Sequence, residues 1–221
     1  MAQTTEPTIR TRIDGGVGYL TLDAPPVNIL SIAVMEEAVP ALRKLEQDPR
    51  VKVIVLEAAG TRAFSAGAAV GDHTVEKMEA MLSIFNELCV GLVQSPKPTI
   101  AAVRRMALGG GCEVVACCDM VVASEKATFG QPEIVLGVYP VIGVALFADI
   151  MGPKAAAEML LSGRTYSAAE ADVSIATATG LPVHVAATVT LAPGSVQQGT
   201  VDVTVDFSAY GEPVRIQAPG P

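Results

Sequence analysis

The sequence predicts an α/β layered fold for its first three quarters, followed by a short all-β segment, and three observations carry that expectation. Short apolar, β-branched runs, from Val51 to Leu56, Thr99 to Val103 and Met120 to Ala123, have the length and composition of buried strands. Longer stretches with helical spacing stand between them, so strand and helix alternate. Near residue 172 the composition changes. From Asp172 to Pro221 there is no lysine and one arginine, Arg215, while Val, Thr and Ile supply 17 of the 50 residues.

Each element has its own warrant. Ile9 to Ile13 and Val17 to Leu22 flank Asp14-Gly15-Gly16, a hairpin signal. After the break at Ala24-Pro25-Pro26, Ile32, Met35, Val39, Leu42 and Leu45 place one apolar stripe on a helix over Ile32 to Gln47. Pro40 lies inside that helix and is expected to cost a hydrogen bond or to kink it. A Gly/Ala-rich loop over Gly60 to Gly71 follows the first buried strand. Thr74 to Gln94 reads as the longest helix, ended by Ser95-Pro96-Lys97-Pro98. A triple-Gly turn after the second buried strand leads into a helix through Cys112 to Cys118. Ser167-Ala168-Ala169-Glu170 has the pattern of a capping box opening a further helix. Beyond it, Val201 to Phe207 alternates with period two, as a half-exposed strand does, and Val183 to Leu191 is its expected partner.

Composition narrows the function. Half of the 221 residues are hydrophobic and 17% are charged, enough to fill a core and unlike a disordered chain. A net charge of −8 without any basic run argues against a nucleic-acid partner. Met1 to Thr8 lacks the apolar core of a signal peptide, and no apolar run reaches the ~18 residues of a membrane span. Cytoplasmic location without membrane attachment is the expectation. Cys89, Cys112, Cys117 and Cys118 lie in apolar or Gly-rich runs without zinc-type spacing, so they are expected to be buried thiols. With His73 and His184 the sole histidines, neither a histidine triad nor a histidine-rich metal site is expected.

Two loops and two carboxylates carry the chemistry. Phe64-Ser65-Ala66-Gly67-Ala68-Ala69 follows a buried strand, and Ala107-Leu108-Gly109-Gly110-Gly111-Cys112-Glu113 precedes a helix. Small residues in both allow a backbone to approach a ligand, and the triple Gly presents free N–H groups at a helix N-terminus. Taken alone, a Gly-rich turn of this kind favours the plainer reading, a pair of tight turns at strand ends. Glu113, one helical turn beyond Gly110, and Glu133, in Phe129-Gly130-Gln131-Pro132-Glu133-Ile134, stand among apolar neighbours. Desolvation there would raise both pKa values toward those of general acids and bases.

Together, Phe64 to Ala68, Ala107 to Glu113 with Cys118-Asp119, and Phe129 to Gly137 resemble the three signature segments of the enoyl-CoA hydratase/isomerase (crotonase) family. The likeness runs from about Ile9 to Ala171. It implies a ββα-spiral core, an acyl-CoA thioester as substrate, and no metal or redox cofactor. It also implies an oxyanion hole made by the N–H groups of Ala66 and Gly110, within a substrate-binding set of Ala66, Gly67, Ala68, Ala69 and Gly110. Glu113 would deprotonate water and Glu133 would protonate the α-carbon. Trimers or hexamers are the implied assemblies. Phe64 to His73 and Leu136 to Pro140 look closest to cyclohexa-1,5-diene-1-carbonyl-CoA hydratases, which add water to a cyclic dienoyl-CoA in aromatic degradation.

The chain also departs from that pattern. Ala69 stands where an Asp is common, and Arg105 replaces a usual Gly, at a cost if that position needs positive φ. Val141-Ile142-Gly143-Val144 replaces a Gly-Ala-Gly-Gly run. The family continues in helices after Ala171, whereas residues from about Thr179 resemble the C-terminal strands of LprG-like envelope lipoproteins. The expected division is therefore 1–171, an acyl-CoA-binding module truncated of its C-terminal helices, and 172–221, a β-rich segment joined by fusion or rearrangement. The functional expectation is hydration of an enoyl-CoA. The alternatives are a catalytically impaired CoA-binding or structural remnant, and an enoyl-CoA isomerase.

Overall fold

The computed structural model describes residues 8–168, 183–190, 200–207 and 215–217. The expected hairpin opens it: β1 (Ile9–Asp14) pairs antiparallel with β2 (Val17–Leu22) through Gly15 and Gly16, both at positive φ. Helix α1 (Ile32–Gln47) begins at Ser31, whose hydroxyl accepts from the Val34 N–H, and buries Val34, Met35, Ala38, Val39, Leu42 and Leu45. Pro40 falls on its exposed side, where water can take the carbonyl left without a donor, and the helix runs through. The buried Lys97 ammonium closes its other end, 2.9 Å from the Leu45 carbonyl and 2.6 Å from that of Asp48.

From here the chain repeats one pattern. β3 (Val53–Ala58), β4 (Ala63–Ser65) and α2 (Met78–Val93) form one turn. β5 (Thr99–Val103), β6 (Met106–Leu108) and α3 (Gly110–Ala116) form the next. β7 (Met120–Ala123), β8 (Thr128–Gly130) and α4 (Val141–Met151) form a third, followed by α5 (Pro153–Ser162) and β9 (Thr165–Ser167). The first strand of each turn joins a sheet ordered β1-β2-β3-β5-β7, parallel from β2 onward. The second joins another, ordered β4-β6-β8-β9. Two strands to two sheets and then a helix, turn after turn, is the ββα spiral that the family resemblance implies.

Every residue of β3 and β5 is buried, which accounts for their unbroken apolar sequence. Helix boundaries differ from the sequence expectation: α3 takes in Gly110 and Gly111 of the expected turn and ends at Ala116, and α2 begins at Met78, because Thr74 to Lys77 turn on local bonds such as the Lys77 N–H to the Thr74 carbonyl. All four cysteines are buried free thiols, and burial pushes the Cys112 thiol up to about 12. Among the described residues, no helix is long and apolar enough to cross a membrane.

The C-terminal segment contributes β10 (Val183–Thr190), β11 (Thr200–Phe207) and β12 (Arg215–Gln217), an antiparallel sheet in which Val183 pairs with Phe207 and Thr190 with Thr200. The expected strand pair is present. Of the proposed capping box, Ser167 ends β9, while Ala169 and Glu170 lie outside the described residues.

Candidate active site

The parallel pairing of β4 with β6 brings the first loop against the second. Gly67 adopts φ +98°, and a Cβ there would meet the Leu108 carbonyl at 2.9 Å and the Gly110 nitrogen at 3.3 Å. Only glycine permits that approach. Gly109 likewise takes φ +53°, where a Cβ would stand 2.6 Å from Oε1 of Glu133. The glycines thus let two backbones and one carboxylate converge.

Which N–H groups face that space follows from the hydrogen bonds on the other side. The Leu30 N–H donates to the Gly67 carbonyl at 2.9 Å, and the Ala69 N–H donates to the Leu30 carbonyl at 3.2 Å. In this parallel bridge Leu30 bonds the residues flanking Ala68. The N–H of Ala68 therefore points away from Leu30, toward the start of α3, where a Cβ on Gly110 would lie 3.3 Å from it. The N–H of Gly110, first in its helix, has no intrahelical acceptor. Among the described residues, nothing accepts a hydrogen bond from either group.

This corrects one expectation. The Ala66 N–H is already spent on the Val27 carbonyl at 3.0 Å, so it cannot serve a ligand. The available pair is Ala68 with Gly110. Ala69 turns outward into the next loop, its carbonyl 2.9 Å from Nδ1 of His73. The concern over Arg105 also disappears, since Asn28 is the sole non-glycine residue at positive φ among those described.

Glu113, on the first turn of α3, is 3% exposed. Its Oε1 accepts from the Gly143 N–H at 2.7 Å. Gly143 lies in the first turn of α4, so the carboxylate satisfies a helix N-terminal donor on the positive end of the helix dipole. Burial nevertheless prevails. It pushes the carboxyl up to about 7, against the hydrogen bonds from Gly143 and Ile142, and the charge of Glu133 adds to the rise.

Glu133 stands in a 3₁₀ turn, Pro132–Leu136, and is partly buried. Burial raises its pKa too, while a backbone hydrogen bond and the charge of His73 hold it back. With its amide group turned to donate, the fully buried Gln131 reaches Glu133 Oε2 at 2.9 Å and Oε1 at 3.2 Å. Sequence reading missed Gly143 and His73, whose partners Glu113 and Glu133 lie in other turns of the spiral, and Gln131, which reaches Glu133 within its own loop. Two carboxylates of raised pKa, coupled by charge, thus adjoin a pair of unused N–H donors. Such a set can exchange protons with a substrate while holding an oxygen on which negative charge develops. Among the described residues, no group of three or more His, Cys, Asp or Glu is arranged to bind a metal.

Comparison with known proteins identifies the family. Residues 12–198 match the family described as enoyl-CoA hydratase/isomerase. A "Probable enoyl-CoA hydratase" of Rhizobium meliloti (strain 1021) is 39% identical over 170 residues, covering 76% of this chain and 66% of that protein. The cyclohexa-1,5-dienecarbonyl-CoA hydratase of Thauera aromatica is 36% identical over 157 residues, 71% of this chain and 60% of its own length. A crystal structure of enoyl-CoA hydratase from Bacillus anthracis superposes with a TM-score of 0.71 at 30% identity, over 74% of this chain and 66% of that one. The chain spans at most about two thirds of the length of these relatives.

Proposed function

The chain belongs to the enoyl-CoA hydratase/isomerase family over residues 12–198, and from that premise we propose that it adds water across a double bond conjugated to a coenzyme A thioester. The observation that carries this reading is Glu113: a buried carboxylate raised to about 7, one helical turn beyond Gly110 and within electrostatic reach of Glu133, whose Oε1 lies against Gly109. The thioester carbonyl accepts from Ala68 and Gly110. Glu113 removes a proton from water as its oxygen bonds the β-carbon, and the displaced π electrons move onto the thioester oxygen. That charge is where two aligned donors help most, because losing one typically costs about 2.7–4 kcal/mol of barrier. As the carbonyl re-forms, the α-carbon takes a proton from Glu133. Proton exchange between the carboxyls and solvent then restores the starting state. The thioester and the paired N–H groups supply the activation, so the reading calls for no metal or redox cofactor.

The finer substrate assignment is a cyclic dienoyl-CoA, supported by the likeness to the Thauera enzyme. Isomerisation is the second reading, favoured by the same pair of carboxylates shuttling a proton between the α and γ carbons. Assaying crotonyl-CoA, cyclohexa-1,5-diene-1-carbonyl-CoA and a 3-enoyl-CoA, each followed at the thioester chromophore, separates the three. Faster loss of the cyclic diene selects the finer reading, and conversion of the 3-enoyl ester without hydration selects the isomerase. A CoA-binding remnant would bind all three and turn over none.

A further inference from the structure

The hydroxyl of Ser65 is bound on two sides inside the molecule. Ser65 ends β4 and is 0% exposed. Its Oγ donates to the Asn28 carbonyl at 2.7 Å and accepts from the Gly67 N–H at 3.1 Å. Asn28 is itself fixed, at φ +52°, by its side chain: Oδ1 accepts from the Ala24 N–H at 2.9 Å, and Nδ2 donates to the carbonyls of Ala59 and Ala63 at 3.1 and 3.0 Å. Ser65 therefore ties the first loop to a rigid anchor. Across the site, a Cβ on Gly111 would lie 2.7 Å from the Ser65 Cβ and 2.9 Å from its Oγ, so the first turn of α3 rests directly on this side chain.

We infer that Ser65 is a positioning residue that sets the spacing between the Ala68 and Gly110 N–H groups. On one side its hydrogen bond fixes the Gly67 N–H, one peptide before the Gly67–Ala68 unit whose carbonyl accepts from Leu30 and whose N–H is that of Ala68. On the other it is the surface against which Gly111, the residue next to Gly110, is seated. Neither contact touches substrate. The hydroxyl acts through the loop, and a small displacement of one donor suffices to weaken both, since misplacement by about 1 Å can cost ~100-fold in rate. An Ala at this position would keep the fold and lose both bonds. Cys keeps a weak donor and a weak acceptor.

The inference rests on the hydratase reading for its catalytic consequence, and the test separates the two. Ser65→Ala and Ser65→Cys are compared with the parent in three measurements: kcat and KM with crotonyl-CoA, the carbonyl stretch of bound butyryl-CoA labelled at the thioester carbon, and amide exchange at Gly67 to Ala69. In the parent, the stretch moves to lower frequency on binding. Ser65→Ala is expected to lose much of that shift, lower kcat by ~10-fold or more with KM within a few-fold, and accelerate exchange at Gly67 to Ala69 by ~10-fold. Ser65→Cys is expected to fall between. A Ser65→Ala variant with parental carbonyl shift, kcat and exchange overturns the role assigned to Ser65. A parent with no carbonyl shift, in which Ser65→Ala still accelerates exchange at those amides, overturns the oxyanion reading and leaves Ser65 as the anchor of the loop.

Discussion

Oε1 of Glu113 and the backbone N–H of Gly143, 30 residues apart in sequence, are joined by a 2.7 Å hydrogen bond. The bond ties α3 to the start of α4 and fixes which oxygen of Glu113 remains for chemistry. It also favours the ionised carboxylate, yet burial outweighs it and leaves the pKa near 7.

That balance predicts a pH dependence of stability. The folded-state pKa of about 7 lies above the ordinary carboxyl value of 4.5, so the folded protein holds a proton that the unfolded chain releases. The associated stability is fully present below about 4.5 and is lost as pH rises through about 7. Glu113→Gln removes this dependence while keeping an acceptor for Gly143. Denaturant titrations from pH 4 to 9 are expected to show the parent losing on the order of 3 kcal/mol relative to the variant. A constant difference across that range would contradict the assignment.

Gly109→Ala should be far more damaging than a single methyl suggests. The residue holds φ +53°, and the new Cβ would fall 2.6 Å from Oε1 of Glu133. With ψ at −130° this is a backbone region largely reserved for glycine, costing another residue about 1–3 kcal/mol, and the carboxylate must move. We expect that loss in thermal or denaturant stability together with at least a tenfold fall in kcat. Full activity in the variant would show that Glu133 is not required where it stands.

Residues after Ala171 are expected to serve the body of the protein rather than its chemistry, since the Glu113, Glu133, Ala68 and Gly110 groups all precede them. Truncation after Ala171 should alter stability and solubility. CoA-ester affinity and hydration rate per folded molecule should stay within a few-fold of the parent. Loss of ligand binding from a well-folded truncated protein would place part of the site in the β-rich segment.

Self-association is expected from the surface beside Glu133. Val135, Leu136, Tyr139, Val144 and Leu161 are between 55% and 73% exposed, an apolar grouping that water disfavours. Sedimentation at micromolar concentration should give a trimer or hexamer, and Leu136→Glu should shift it toward monomer. A parent that remains monomeric would remove assembly from the account.

Much of the fold was legible because burial writes itself into composition. β3 and β5 are covered on both faces and read as unbroken apolar runs, and the Gly15-Gly16 turn announces β1 and β2. Glu113 and Glu133 stood out as carboxylates in apolar sequence, and the family resemblance supplied their expected roles. The proposed oxyanion donor was harder. Ala66 and Ala68 are chemically alike, and what distinguishes them is that Val27 takes the N–H of one while Leu30 brackets the other. Those partners lie some forty residues upstream, and no local pattern reveals them. The same holds for Gly143, whose bond to Glu113 depends on how successive turns of the spiral stack.

The most direct test is the hydration rate of crotonyl-CoA by the parent, Glu113→Gln and Glu133→Gln proteins, with butyryl-CoA affinity measured alongside. Each carboxylate is assigned a proton transfer, and the backbone N–H groups are assigned the thioester. Each substitution should therefore lower kcat by ~100-fold or more and leave affinity within a few-fold. Parental kcat in either variant, or no hydration by the parent itself, would contradict the account.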